Sequence, residues 1–229
     1  MALVGIDVGE DYLAFAWAHG CVRTEAEPSP FETRYALARD WIHNTLSLAS
    51  GEDLEVAASV PDVLTDEERV AHRDAILGAG MSFSCLRNRS LAACLGVGLV
   101  YEGIPWAGHG ELSEEPFERL ILDVWEGHMR LSWMSSRYGI GEVVSYADMP
   151  ASPSLVPALL EVLSEEAQGR VVPHTPVIVA GGGAEVGAIL EAARGFCGAQ
   201  LDDRVPPDTV VAKGMWEVAR MRAQPMVLR

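Results

Sequence analysis

Positive charge is scarce in this chain. It carries 17 lysines and arginines against 33 aspartates and glutamates, a formal net charge of -16. Nucleic acids and anionic membranes are held by clustered basic side chains, so this balance argues against both as partners. Cysteine is thin as well: Cys21, Cys85, Cys94 and Cys197 stand far apart and form no CxxC pair. Metal-ligand spacing is therefore absent, and reduced thiols in a cytoplasmic protein are expected. No stretch approaches the run of about 18 apolar residues that a membrane helix requires. Nor does a basic leader precede Ala2-Leu3-Val4, and Asp7 interrupts the apolar run, which predicts a strand rather than a signal peptide.

What is present is an ordinary globular composition, 49% hydrophobic and 22% charged over 229 residues. That length suits one large domain or two small ones with real cores. The most organised stretch is Pro176 to Gly195. Val177-Ile178-Val179-Ala180 suits a strand buried on both faces. Gly181, Gly182 and Gly183 follow, and then Val186, Ile189, Leu190 and Ala193 share one helical face. A strand, a glycine turn and a helix start let backbone approach a ring or a phosphate closely, with helix N–H groups pointing at it. The same pattern without a ligand is common in α/β proteins.

Along the chain, residues 3 to 18 read as two strands around the turn Asp7-Val8-Gly9-Glu10-Asp11. A polar loop with Pro28 and Pro30 follows. A helix over 34–49 has Leu37, Trp41 and Leu48 at helical spacing. Leu54 to Val60 is a strand closed by Pro61. Thr65 and Glu68 form a capping box that starts a helix running to about Gly78. A short strand over Met81 to Leu86 leads to a helix of small residues, Ser90 to Leu99, able to bring another backbone close.

The second half repeats this theme. Leu120 to Val124 is a strand, Trp125-Glu126-Gly127-His128 its turn, and Met129 to Met134 the returning strand. Glu142 to Tyr146 is a third strand. A helix follows Pro157 and ends near Gly169. Pro206-Pro207-Asp208 starts the last helix, whose small stripe is Ala212 and Gly214. Both halves open with an apolar strand, an aspartate, a turn and a returning strand, which an internal duplication explains most simply. Two such halves facing each other would put Asp7 and Asp123 across one cleft, near Gly181 to Gly183.

These segments resemble the actin-like ATPase superfamily, and most closely its DnaK-like heat-shock chaperone branch. VGIDVGEDYLAFAWA stands where that family has its first phosphate loop, and ILDVWEGHMRLSW where it has its second. VIVAGGGAEVGAI is similar to the adenosine loop, and VPPDTVVAKGMWEVAR to the closing helix. Between them, the run from Leu54 to Leu99 follows the family's strand, Val-Pro, capped helix, short strand and connecting helix. The resemblance implies an α/β fold of two ribonuclease-H-like subdomains with mixed sheets flanked by helices. It implies a first subdomain over 1–100, a second over 101–211, and a closing helix and tail over 212–229 that return to the first. It implies nucleotide contacts at Asp7, Gly9, Gly127, Gly181, Gly182, Gly183 and Glu185. Asp7 and Asp123 match the residues that organise magnesium and water, with ATP or ADP as the ligand.

The departures bear on function. Glu10 and Asp11 stand where hydroxyl residues grip phosphate in the family. Trp125, Glu126 and His128 replace glycines and threonine of the second loop, leaving Gly127. Arg89 follows Asn88 where a catalytic glutamate is expected. Neither inserted subdomain has room in the chain, and no substrate-binding domain is expected beyond Arg229. Phosphoryl transfer depends on positioning and charge neutralisation. An indole at Trp125 would fill space where phosphate lies, and a carboxylate about 4 Å from a phosphate charge costs on the order of 4 kcal/mol at an effective dielectric near 20. The expected protein is therefore a degenerate, non-hydrolysing scaffold that binds a protein partner as a homodimer or heteromer. Two alternatives stay open: an ATP-binding chaperone-type ATPase with atypical loops, and a divalent-metal or small-molecule site built on Asp7, Glu10, Asp11, Asp123 and Glu126. Arg89 is expected to pair with a neighbouring carboxylate, His128 to be a surface or packed residue, and Trp125, Trp133 and Trp216 to serve packing.

Overall fold

The computed structural model describes residues 1–9, 11–27, 29–49, 52–98, 117–125, 127–137, 140–166, 175–182, 186–197 and 201–223. The described residues form an α/β fold with two mixed sheets and six α-helices.

The first sheet contains β1 (Ala2–Val8), β2 (Tyr12–Trp17), β3 (Gly20–Glu25), β4 (Leu54–Val60) and β5 (Ser82–Asn88), in the order β3-β2-β1-β4-β5. Its helices are α1 (Phe31–Leu46), α2 (Asp66–Gly78) and α3 (Arg89–Gly96). The second sheet contains β6 (Phe117–Trp125), β7 (His128–Arg137), β8 (Ile140–Pro150) and β9 (Val177–Gly181), in the order β8-β7-β6-β9. It is accompanied by α4 (Val156–Glu166) and α5 (Val186–Cys197), and α6 (Pro207–Ala223) follows. No helix among the described residues is long and apolar enough to cross a membrane.

Each sheet is built the same way: three antiparallel strands in a meander, then a parallel strand beside the first. β4 runs parallel to β1, as β9 does to β6. The repeated strand, aspartate, turn and strand read in the sequence thus corresponds to one topology used twice.

Side-chain alternation places the cores. In β1, Val4 and Ile6 point into a cluster with Tyr35 and Ile42 of α1 and Ala75 and Ile76 of α2. The opposite face of β1 meets α6: a Cβ on Gly5 would collide with the Trp216 backbone nitrogen. In β6, Leu120, Leu122 and Val124 point to the α4 and α5 side, while Ile121 joins α3 and α6 in a central cluster. Because the side-chain period of a strand is two, Asp7 and Asp123 both face that central layer.

α3 and α6 meet backbone to backbone there. A Cβ on Gly214 would strike the Ala92 carbonyl, and one on Gly96 the Val210 carbonyl. The small residues of both helices, expected to admit a close neighbour, admit each other. The capping box also forms: the Thr65 N–H donates to Glu68 Oε2 at 2.8 Å, and the Glu68 N–H donates to Thr65 Oγ1 at 3.2 Å.

One local expectation is corrected, and one strand adds to the reading of the sequence. β3 was not foreseen, its Gly-Cys-Val-Arg-Thr-Glu run being too polar to mark a strand. In α1 the fully buried side chains are Tyr35, Ala38 and Ile42; Trp41 packs edge-on against Phe15 and Leu48, past the helix end, also touches this core, whereas Leu37 is 44% exposed. The Tyr35 hydroxyl pairs with His72 Nδ1 of α2 at 3.0 Å, so the phenol is buried without an orphaned oxygen.

Candidate functional site

The two halves meet at the C-terminal ends of their parallel strands, where open α/β sheets place ligands. Asp7 stands near the end of β1 and Asp123 near the end of β6, and both are buried. The side chain between them is Arg89, the first residue of α3. Its Nε donates to Asp123 Oδ2 at 2.7 Å and its Nη2 to Asp123 Oδ1 at 2.9 Å, a two-pronged pairing. Its Nη1 donates to Asp7 Oδ1.

Asp7 has two further donors. The Tyr12 hydroxyl donates to Oδ2 at 2.6 Å, and the Ser59 hydroxyl to Oδ1. All four oxygens of the aspartate pair therefore accept hydrogen bonds from the protein itself. The expectation that Arg89 pairs with a carboxylate is met twice over. Burial alone would lower the Arg89 pKa, but the carboxylates of Asp123 and Asp7 more than offset it, and the guanidinium is held firmly charged. Burial is also the main cause that raises the Tyr12 phenol, against the Arg89 charge and with the Asp7 charge, so it stays a neutral donor.

The Tyr12 ring lies between the two glycine turns. A Cβ on Gly182 would sit 2.6 Å from this ring, and one on Gly9 would also collide with it. The guanidinium carbons of Arg23 and Arg89 lie 5.3 and 5.9 Å from its centroid, within cation–π range. The ring that fills the space between the turns is thus Tyr12. Trp125 is half-buried at the neighbouring hairpin. It stacks on His128 at 6.2 Å, with the Arg130 guanidinium 5.5 Å from its centroid.

The remaining residues singled out in the sequence divide. Gly181 has φ +113° and packs against the Val124 carbonyl, so it shapes the turn between β9 and the following loop. Gly127 has φ +73° with nothing near the place of a Cβ, which makes it a hairpin-turn glycine in open surroundings. His128 is exposed and Trp133 buried, while Trp216 packs beside Ala14 and Ala16. Gly183, Glu185, Glu10 and Glu126 lie outside the described residues. Among the described residues, no three His, Cys, Asp or Glu side chains converge as metal ligands.

Sequence reasoning missed Asp62. Its Oδ1 accepts the Ser90 N–H at 3.0 Å in the first turn of α3, and its Oδ2 accepts the hydroxyls of Ser90 and of Ser132 on β7, the latter at 3.1 Å. A carboxylate at a helix N-terminus is favoured by the helix dipole. Asp62 is a second polar link between the halves, and the Val-Pro-Asp sequence held no signal for it beyond the residue type.

A cavity of about 500 Å³ opens beside this junction. Phe31, Tyr35 and His72 line one side, Trp125 and Arg130 another, and Arg89 with Asp123 the inner end.

No protein-family profile matches this chain, and no curated protein matches its sequence.

Proposed function

We propose that this chain is a minimal, degenerate DnaK-like actin-fold protein that does not hydrolyse ATP and serves as a binding or assembly partner. The observation that carries this reading is Arg89 between Asp7 and Asp123. In an active member of the resembled family those carboxylates would organise magnesium and water. Here a fixed cation takes up the same oxygens, and the Tyr12 ring fills the space between the glycine turns. The repeated meander-plus-parallel topology supports two ribonuclease-H-like subdomains. The partner in this reading is a protein, as a homodimer or heteromer.

The test is thermal melting and phosphate release with and without millimolar magnesium-ATP. A ligand at a hundred times its Kd stabilises by about 2.7 kcal/mol, several degrees for a protein of this size. No shift and no turnover are expected. A shift of that size, or chaperone-like turnover, would instead favour an ATPase with atypical loops. A divalent-cation role would require Asp7 and Asp123 to exchange Arg89 for the ion.

A further inference from the structure

The cavity beside the Arg89 junction has a wall chemistry that the scaffold reading does not use. We propose that it is a binding site for a small, uncharged, planar heteroaromatic molecule. This inference goes beyond the pseudo-ATPase reading: the cavity shares Gly9, Tyr12, Arg89 and Asp123 with the candidate nucleotide cleft, but its Phe31, Tyr35 and His72 wall belongs to no part of that reading.

Size comes first. About 500 Å³ lies inside the range of small-molecule sites, roughly 300 to 1,000 Å³. Ring shape follows from the walls. The Phe31 and His72 rings lie 4.9 Å apart and tilted, Tyr35 stands edge-on to His72 at 5.9 Å, and the Trp125 indole lines the same space. Such rings accept a flat partner by offset or edge-to-face packing.

Charge is decided by compensation. Arg89 is neutralised by Asp7 and Asp123, and Arg130 by Asp148 through bonds of 2.6 and 2.8 Å. The Asp62 carboxylate is engaged by Ser90 and Ser132. An anion would meet these carboxylates and the negative field of the whole protein. A cation would meet the guanidiniums of Arg34, Arg89 and Arg130 in the lining itself. A neutral ring meets neither penalty. It also finds a polar handle. The hydrogen bond between the Tyr35 hydroxyl and His72 Nδ1 leaves, in either imidazole tautomer, one donor and one acceptor on the pair. Burial lowers the His72 pKa, which keeps that pair uncharged near neutral pH. A heteroaromatic ring carrying its own N–H and acceptor is the matching chemistry.

The test uses one ring system in three charge states: indole, indole-3-carboxylate and tryptamine. Each is titrated into the intact protein and followed by saturation-transfer NMR and by thermal melting. Indole is expected to bind saturably, with Kd of about 1 mM or below, as suits a fragment of this size. The carboxylate and the amine are expected to bind at least about tenfold more weakly. Phe31→Ala is expected to weaken indole by about tenfold, and Trp125→Ala, at the other wall, serves as the second variant should the first fail to fold. No saturable indole binding overturns the proposal. So does binding that ignores both substitutions, or tighter binding of either charged analogue. Magnesium-ATP is titrated in a separate experiment without indole, which separates the two readings: an ATP-induced melting shift overturns the scaffold reading alone, whereas the absence of saturable indole binding in ATP-free protein overturns this proposal alone.

Discussion

Arg89 and Asp123 face each other across the two halves of the molecule through paired contacts of 2.7 and 2.9 Å, both side chains buried. The guanidinium comes from the first turn of a helix in one half and the carboxylate from the end of a strand in the other. Its remaining arm reaches Asp7, so one side chain joins the repeated aspartates of both halves.

Replacing Arg89 by Met should destabilise the protein by about 3–5 kcal/mol, because it leaves two buried carboxylates uncompensated. Denaturant melts measure the loss. Millimolar magnesium or calcium should then raise the melting temperature of the variant and leave the wild type unmoved, since only the variant offers free carboxylate oxygens. An equal response in both proteins would count against Arg89 as the resident cation.

Tyr12 does two things that substitutions separate. Tyr12→Phe keeps the ring between the glycine turns and removes only the donor to Asp7 Oδ2, at an expected cost of about 1–3 kcal/mol. Tyr12→Ala also empties the ring volume, and about 3–5 kcal/mol is expected. Similar losses for the two would show that ring packing contributes little.

Two helical glycines in opposite surroundings, Gly214 in the contact between α3 and α6 and Gly195 on the open face of α5, predict opposite outcomes on change to alanine. Gly214→Ala places a methyl group against the Ala92 carbonyl and should cost about 1–3 kcal/mol or more. Gly195→Ala, on an exposed helical position with open space around it, should gain about 0.5–1 kcal/mol. Chemical denaturation midpoints distinguish the signs.

His72 makes stability depend on pH. Burial, the largest influence, lowers its pKa in the folded state, although the Glu68 charge works the other way. The unfolded chain therefore binds a proton first as pH drops through about 6.5, and stability falls from there until the lower folded pKa is passed. His72→Phe removes this term. Between pH 7 and 5 its melting temperature should decline less than that of the wild type, and parallel declines would contradict the assignment.

Much of the architecture was legible because its signals are local. The Thr65 and Glu68 capping box, the apolar strand before Gly181 and the helix face of Ile189 and Ala193 all depend on residues within a few positions of one another. The paired aspartates were legible as a repeat. Their partner was flagged by type, since an arginine where a carboxylate was expected must find charge nearby, but that it would bind both aspartates at once was not. Tyr12 was read as a strand residue, and its place between Gly9 and Gly182 arises from a contact between distant parts of the chain. Leu37 misled for the reverse reason: helical spacing groups it with Trp41, but the helix turns Tyr35, Ala38 and Ile42 fully inward and leaves Leu37 at the edge of the buried face.

The return of α6 to β1 and β2 has a consequence for biosynthesis. A ribosome releases the first sheet long before it makes the helix that covers the inner face of that sheet. Until then Gly5, Ala14 and Ala16 present an uncovered surface, and the earliest-made half cannot reach its final packing before α6 has been made. Maturation must wait for α6 to dock, a long-range closure of the kind that folds slowly and invites capture by folding helpers in the interval.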